Sequence, residues 1–229
     1  MDYRLALFDI AGTTVSDPGF VAQAFVGAMG AAGHPIDPEA CRALMGYRKP
    51  EAIARLLGAA ATPAKVEAIH DDFVARMLRC YRERPGVAPL PGAESIFALL
   101  RAHGIKVALN TGFSRDIAQA ILTRLGWNER IDALIASDEV PAGRPAPYMA
   151  QALLRRFGID DARRLVKIGD TEVDIGEGRN AGAGLVVAVT TGAFSRAELE
   201  PYAPDAIVDS LFELPALLGI DAVARDDAA

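Results

Sequence analysis

Six short apolar runs, separated by segments of helical periodicity, constrain the fold of this chain more than any other feature. The runs lie at residues 4–8, 105–109, 133–136, 165–168, 185–189 and 206–208. Runs of this length are typical of strands that are buried on both faces of a sheet. Helical spacing fills the intervals at residues 93–102, 115–125, 147–157, 173–181 and 211–218. Strands that alternate with helices predict right-handed βαβ units, and hence an α/β fold with a doubly wound, Rossmann-like parallel sheet.

The alternation is interrupted once, after the first strand, by a long insert without any strand pattern. Helical spacing in the insert predicts helices at residues 20–32, 38–44, 50–57 and 63–84. The Pro- and Gly-containing stretches 17–19 and 85–92 flank the insert, and such stretches are typical of hinges. We therefore predict a core of residues 1–16 and 89–229 and a helical cap domain of residues 17–88. The last residues, 224–229, are small and polar, which is typical of a frayed end.

Composition and charge exclude several classes of function. With 24 basic and 30 acidic residues the net charge is −6, which offers no field to attract nucleic acid. The two cysteines, Cys41 and Cys80, are too few for a disulfide framework and fit a reducing compartment. We find no signal peptide and no apolar stretch near the roughly 20 residues of a membrane helix. We expect a cytoplasmic enzyme that acts on a small molecule without a membrane or nucleic-acid partner. A homodimer is left open.

Polar residues follow the predicted strands at the ends where loops converge in a parallel sheet. Asp9 ends the first strand, Thr111 follows the second, Asp170 and Asp174 follow the strand at 165–168, and Arg144 precedes a helix. Two carboxylates from different strand ends can share Mg²⁺, a hard cation that prefers oxygen ligands. Arg144 and the backbone amides after Thr111 can hold phosphoryl oxygens. Each residue alone has a structural explanation, such as a helix cap or a surface cation, but their common location favours a site.

In their order along the chain, these residues resemble the haloacid dehalogenase superfamily of phosphotransferring hydrolases. The segment Asp9-Ile10-Ala11-Gly12-Thr13 matches the motif DxxGT, and the Gly169-Asp170 segment that ends in Asp174 matches GDxxxD. The helical insert matches the position of the cap domain of that superfamily.

The resemblance implies a role for each motif residue. Asp9 would be the nucleophile that attacks phosphorus and forms an aspartyl-phosphate, which water then hydrolyses. Mg²⁺ would be held by the Asp9 side chain, the Ala11 carbonyl and Asp170, with Asp174 in the outer shell. The catalytic Arg144 would hold the phosphoryl group together with Thr111 and Gly112.

Position 11 points to one branch of the superfamily. The usual first motif is DxDGT, whose second Asp is the general acid for the leaving group, whereas this chain has Ala11. Ala at this position, combined with Arg144 in place of Lys, is similar to the phosphonoacetaldehyde hydrolases, or phosphonatases, and their phosphonatase-like relatives. The chemistry gives a reason: an ester leaves as an alkoxide that needs a proton, whereas a C–P bond has no oxygen to protonate. It needs an electron sink at the adjacent carbonyl, and a lysine imine supplies one.

Lys49 is the candidate for this imine. Only four of the 24 basic residues are lysines, and the segment Met45-Gly46-Tyr47-Arg48-Lys49 resembles the MGxxK segment of the phosphonatase cap. Lys49 precedes Pro50, the predicted first residue of a helix. We expect the helix N-terminus and Arg48 to lower the pKa of Lys49, and Glu51 to raise it. Arg48 is also expected to bind the substrate.

Three positions depart from the phosphonatase pattern. Ala52 and Phe113 stand where the family has His and Tyr, and no Cys lies near Gly19. The favoured function is Mg²⁺-dependent hydrolysis of phosphonoacetaldehyde, or a close phosphonate, through an aspartyl-phosphate on Asp9 and a Lys49 imine. The main alternative is a phosphomonoesterase of a small phosphorylated metabolite, similar to phosphoglycolate phosphatase, in which Lys49 is only a binding cation. A non-catalytic binding or regulatory protein and a dehalogenase are further alternatives.

Overall fold

The computed structural model describes residues 2–220, so the predicted frayed end at 224–229 lies outside the described part. The strands form one sheet and are β1 Leu5–Asp9, β2 Lys106–Thr111, β3 Ala133–Ala136, β4 Leu165–Gly169, β5 Leu185–Val189 and β6 Ala206–Val208. All six predicted runs are strands, and nearly all of their residues are buried. The predicted α/β fold class is confirmed.

The strand order positions the site. The sheet has the order β3-β2-β1-β4-β5-β6, and all neighbouring strands are parallel. The chain leaves the central strand β1 toward β2 and β3 on one side, and then crosses to β4, β5 and β6 on the other. Ligands bind at such a switch point, beyond the carboxyl ends of the strands. Because Phe8 pairs with Ile168, the residues that end β1 and β4 lie side by side there.

Helices cover both faces of the sheet and build the insert. The α-helices of residues 2–220 are α1 Phe20–Ala31, α2 Pro38–Arg42, α3 Lys49–Leu57, α4 Pro63–Glu83, α5 Ala93–Ala102, α6 Arg115–Leu125, α7 Tyr148–Arg156, α8 Glu172–Ala181, α9 Arg196–Leu199 and α10 Leu214–Leu218. The segment 211–218, predicted as one helix, begins as a 3-10 turn at Leu211–Glu213. Pro215 has no N–H for the Leu211 carbonyl, so an α-helical hydrogen bond cannot form between them. No helix of residues 2–220 has the length and apolar character needed to cross a membrane.

The helices of the insert lie against the core at the carboxyl edge of the sheet. Within the insert α1 packs on α4, with the rings of Phe25 and Phe73 4.6 Å apart. The two chain segments that lead into and out of the insert are paired, since Ser16 N donates to the Ala88 carbonyl at 2.9 Å. A bridge between Val15 and Pro89 continues this pairing. The predicted division at 16/17 and 88/89 stays a prediction, and this pairing at both boundaries supports it.

Candidate active site

A cavity of about 350 Å³ lies between the carboxyl edge of the sheet and the insert. Its walls come from both parts of the chain, and most of the predicted site residues lie in them. The predicted residues in the walls are Asp9, Ala11, Lys49, Thr111, Gly112, Arg144 and Asp170. Asp174 lies just beneath the cavity and reaches the other two carboxylates, whereas Arg48 does not line the cavity.

Three buried carboxylates converge at the switch point. One oxygen each of Asp9, Asp170 and Asp174 lies within 4.8 Å of the others. Asp170 is fixed by the Thr13 hydroxyl, which donates to Oδ1 at 3.0 Å, and by Ala193 N, which donates to Oδ2 at 2.8 Å. Burial, followed by the charges of Asp9 and Asp174, raises the pKa of Asp170 to about 8. Burial likewise raises the pKa of Asp9. The ionised cluster therefore needs a positive charge.

Two buried cations supply part of that charge from beneath the cluster. Arg144 Nη1 lies 2.6 Å from Asp9 Oδ1 and also contacts Asp174. Lys167 Nζ donates to Asp174 Oδ1 at 2.7 Å and lies 3.4 Å from Glu177. Burial alone would raise the pKa of Asp174, but Arg144 and Lys167 lower it to about 2. Asp174 thus orients Arg144 toward Asp9.

The members of this network that lie inside secondary structure were not predicted from the sequence. Lys167 is fully buried in β4, Glu177 in α8 and Asn110 in β2. Asn110 Nδ2 donates to Glu177 Oε2 at 2.7 Å, and Lys167 Nζ donates to Asn110 Oδ1 at 3.0 Å. The available signal was a lysine inside an apolar run of a chain that has few lysines.

The residues fit a divalent metal. When ionised, the carboxylates Asp9, Asp170, Asp174 and Glu177 against the cations Arg144 and Lys167 leave two negative charges in a buried network. One divalent cation balances them, and the donors are all oxygens, which hard cations prefer. A Cβ at Gly12 or Gly192 would overlap Asp170 Oδ2, so these two glycines leave the room that the carboxylate occupies.

The loop after β2 meets the insert directly. Phe113 N donates to Thr111 Oγ1 at 3.1 Å, which orients this hydroxyl beside the cavity. A Cβ at Gly112 would overlap the carbonyl oxygens of Gly46 and Tyr47 in the insert. The missing side chain at Gly112 therefore lets the segment that carries Lys49 pack onto the core.

Lys49 is the first residue of α3 and is 3% exposed. Its Nζ donates to the Tyr47 carbonyl at 3.2 Å and lies 5.1 Å and 5.5 Å from the ring centroids of Phe113 and Phe25. Burial, followed by the charge of Arg144, lowers the pKa of Lys49 to about 8, against the opposing charges of Asp9 and Asp17. The amine is therefore poised between its charged and neutral forms near neutral pH.

The two neighbours of Lys49 that the sequence analysis invoked do not act on it as expected. Arg48 packs over Gly143, and its Nη1 lies 3.4 Å from the Pro141 carbonyl, outside the cavity. Glu51 forms an ion pair with Arg55 at 2.7 Å on the helix surface. At the start of a helix, the side chains of adjacent residues point in different directions. Arg48 and Glu51 are therefore close to Lys49 in sequence, but their side chains do not lie beside its amine. The lowered pKa follows the predicted direction, but burial and Arg144 cause it.

Another arginine of the insert, Arg42, lines the cavity instead of Arg48. Its guanidinium lies 2.6 Å from Glu198 on α9 of the core and 2.6 Å from Glu39 on its own helix. This ion pair joins the insert to the core at the rim of the cavity. Its position in the short helix α2 gave no sequence signal for such a contact.

Comparison with known proteins gives consistent matches. Residues 3–182 match the profile of the haloacid dehalogenase-like hydrolases. A phosphonoacetaldehyde hydrolase of Paraburkholderia xenovorans (strain LB400) is 32% identical over 221 residues, which cover 88% of this chain and 82% of the relative. A phosphonoacetaldehyde hydrolase-like protein of Oleispira antarctica has a TM-score of 0.83 at 23% identity, over 96% of this chain and 92% of its own. CbbY of Rhodobacter sphaeroides, solved with phosphate, has a TM-score of 0.80 at 25% identity, over 93% and 96%.

The fold and the site define an α/β enzyme with a carboxylate cluster and a buried arginine at the switch point of a parallel sheet. The chain belongs to the haloacid dehalogenase-like hydrolase family, whose profile spans most of its length. The predicted resemblance and the prediction of a hydrolase are confirmed.

Proposed function

We propose that this hydrolase cleaves the C–P bond of phosphonoacetaldehyde, or of a close phosphonate, through an imine on Lys49 and an aspartyl-phosphate on Asp9. One observation carries the proposal. A buried lysine amine with a pKa of about 8 shares one cavity with Asp9, the carboxylate that would attack phosphorus. An amine at this pKa is available for attack on a carbonyl near neutral pH. The relative from Paraburkholderia xenovorans, named phosphonoacetaldehyde hydrolase, supports the choice of substrate.

The core would handle the phosphoryl half of the substrate. Thr111 Oγ1, the Gly112 amide and Arg144 would hold the phosphoryl oxygens, and Asp9 would attack phosphorus in line. Mg²⁺, held by Asp9, the Ala11 carbonyl and Asp170 with Asp174 in the outer shell, would neutralise the charge on the phosphoryl group. Arg144 would neutralise the rest from its position against Asp9.

The insert would act as a cap and handle the aldehyde half. The neutral Lys49 amine adds to the aldehyde carbon and gives a carbinolamine. An acid then protonates its hydroxyl, which leaves as water, and a protonated imine remains. As Asp9 bonds to phosphorus, the electron pair of the C–P bond moves into this imine and gives an enamine, so no acid is needed at position 11. Protonation at carbon and addition of water release acetaldehyde and the lysine. A second water hydrolyses the aspartyl-phosphate to phosphate and Asp9.

Borohydride trapping tests the imine. Incubation with phosphonoacetaldehyde and borohydride should leave a reduced adduct that mass spectrometry maps to the peptide containing Lys49. Lys49→Arg should lose both the adduct and the release of phosphate from the phosphonate. Lys65→Arg is the matched control, because Lys65 is an exposed lysine of the same insert, and it should behave as the wild type. Unchanged C–P cleavage in Lys49→Arg would refute the imine.

A phosphomonoesterase of a small phosphorylated metabolite is the second candidate function. The aromatic rings of Phe113 and Phe25 lie where they can hold the Lys49 amine as a cation, and no histidine lines the cavity among residues 2–220. Both observations fit a lysine that only binds the substrate. This function predicts Mg²⁺-dependent hydrolysis of phosphate monoesters and no borohydride-stable adduct on Lys49.

The cytoplasmic location and a homodimer stay predictions.

A further inference from the structure

The aldehyde chemistry proposed for Lys49 requires a group that moves protons, and the carboxylates of the cavity wall are the candidates for it. Formation of an imine needs a base to take a proton from the attacking amine and an acid to protonate the departing hydroxyl. In residues 2–220 no histidine lines the cavity, and Ala52 has no polar side chain. The carboxylates that line the cavity are Asp9, Asp17, Glu39 and Asp170.

Three of these carboxylates are engaged elsewhere. Asp9 is paired with Arg144 and serves as the nucleophile. Asp170 accepts hydrogen bonds from Thr13 and Ala193 within the carboxylate cluster. Glu39 is exposed and lies 2.6 Å from Arg42 at the rim. Among the cavity carboxylates of residues 2–220 this leaves Asp17, whose charge acts on the Lys49 amine across the same cavity.

From this geometry we infer that Asp17 is the acid–base residue of Lys49 and carries the protons exchanged during formation and hydrolysis of the imine. This inference rests on the proposed function, since it concerns the imine itself. Asp17 is not part of any motif that relates the chain to its family. It belongs to the hinge segment that leads from β1 into the insert.

The surroundings of Asp17 hold its carboxylate in place. Oδ1 accepts from Phe20 N at 2.6 Å and from Val21 N at 3.4 Å, at the start of α1. These bonds fix the carboxylate at the wall of the cavity that Asp17 lines together with Lys49. The preceding residue, Ser16, is bonded to Ala88, so the hinge is fixed on both chain segments at this point. Hydrogen bonds from the backbone therefore hold the Asp17 carboxylate in a fixed position.

Charges around the pair favour proton exchange. Four neighbouring groups act electrostatically on the pKa of Lys49: Arg144 in the loop before α7, Asp9 in β1, Cys41 in α2 and Asp17 in the hinge. Burial raises the pKa of Asp17, against the hydrogen bonds from Phe20 and Val21 and the charge of Lys49. The pKa of an acid is thus raised while that of its partner amine is lowered, and converging pKa values ease transfer in both directions.

The proton balance of the step closes without another reactant. Asp17 takes one proton from the Lys49 ammonium, and the neutral amine adds to the aldehyde carbon. The nitrogen of the adduct passes a proton to the new alkoxide, which becomes a hydroxyl. Protonated Asp17 then donates to this hydroxyl, which leaves as water, and the C–N bond becomes the protonated imine. Asp17 ends as a carboxylate, and the same steps in reverse release the product aldehyde.

The test measures the rate of borohydride-trappable adduct formation with phosphonoacetaldehyde in Asp17→Asn. The Asn amide keeps the oxygen that accepts hydrogen bonds at the start of α1, but it neither gains nor releases a proton in this pH range. We expect adduct formation to slow by about a hundredfold or more, the usual contribution of general acid–base catalysis. The thermal midpoint and the mapping of the adduct to Lys49 should not change. Glu51→Gln, which removes a carboxylate near Lys49 in sequence but outside the cavity, is the control and should react at the wild-type rate.

The outcomes separate this inference from the proposed function. Wild-type protein without an adduct on Lys49 overturns the imine and with it the role of Asp17. An adduct in the wild type that forms equally fast in Asp17→Asn overturns the role of Asp17 alone. A slower reaction together with a lowered thermal midpoint assigns Asp17 a structural role at the hinge, which also overturns the inference. The pH dependence adds a further readout, because loss of a proton carrier changes the profile whereas loss of a cap does not.

Discussion

Replacement of Asp170 by Asn tests whether the carboxylate cluster binds a divalent metal. At pH 7 and without metal, the raised pKa of about 8 means that Asp170 is largely protonated. Asn resembles that protonated form, so Asp170→Asn should fold with a similar metal-free stability. The variant lacks the second negative charge that balances a divalent ion beside Asp9. It should therefore lose the stabilisation by Mg²⁺ while keeping the fold.

The size of the effect follows from binding linkage. A ligand at a hundred times its dissociation constant stabilises the folded state by about 2.7 kcal/mol. For a chain of this size, where about 1 kcal/mol shifts the midpoint by about 2–4 °C, this corresponds to a rise of about 5–11 °C in the thermal midpoint. Differential scanning fluorimetry with EDTA and then with Mg²⁺ measures it. An equal rise in the wild type and in Asp170→Asn would refute the assignment of the metal site.

The pH dependence provides an independent check with a definite sign. The pKa of Asp170 is about 8 in the folded protein, against 3.8 for an unperturbed Asp. Between these values the folded state holds a proton that the unfolded chain has released, so in EDTA the free energy of unfolding falls as the pH rises from 4 to 8. Metal binding releases that proton. The affinity for Mg²⁺ should rise by about tenfold per pH unit toward pH 8 and then level off. A metal affinity that does not change from pH 6 to 8 would contradict this account.

Four further variants or profiles test the rest of the site. Asp9→Asn should stop phosphate release but still form the borohydride adduct on Lys49; phosphate release at the wild-type rate would exclude Asp9 as the nucleophile. Adduct formation by the wild type should rise with pH and level off near pH 8, because the pKa of Lys49 is lowered to about 8, and a rise that continues to the ordinary 10.5 would contradict its burial. Glu198→Gln breaks the 2.6 Å pair with Arg42, and it should raise KM by a few-fold and weaken its dependence on salt, whereas an unchanged KM would assign the pair no role in closure. Gly112→Ala should lower kcat/KM by about a hundredfold through displacement of the Lys49 segment, with the thermal midpoint as the control for folding.

The strands and the carboxylates at their ends could be predicted from the sequence because each depends on local patterns. A strand buried on both faces is a short apolar run, and the loops after parallel strands converge whatever their length. The positions of Asp9 and Asp170 at the ends of β1 and β4 therefore predict, from the sequence alone, that the two residues lie close together. The structure brings their carboxylates to one point beside Arg144.

Side-chain direction and long-range pairing could not be predicted in the same way. Lys167 lies inside an apolar run, where the strand pattern gives no reason for a charge, and its partners Asp174 and Glu177 belong to another element. Arg42 binds Glu198, which is 156 residues away in the chain. Asp17 lies in a stretch that contains Pro and Gly, a composition that indicates a turn or hinge and says nothing of the cavity it faces. Each of these contacts depends on how the insert is seated on the core.

The seating of the insert also explains how one lysine could react selectively. Burial is the larger cause of the lowered pKa of Lys49, and Arg144 of the core is the next. Both act only when the insert is packed against the core, because Arg144 is held in the cavity wall by Asp9 and Asp174. If the insert moved away, Lys49 would be hydrated and separated from Arg144, and its pKa would return toward the ordinary value. The amine would then be an ammonium that does not attack aldehydes in solution. In the proposed function, nucleophilicity at Lys49 is thus coupled to the packing of the insert on the core, which also brings Asp9 into the same cavity.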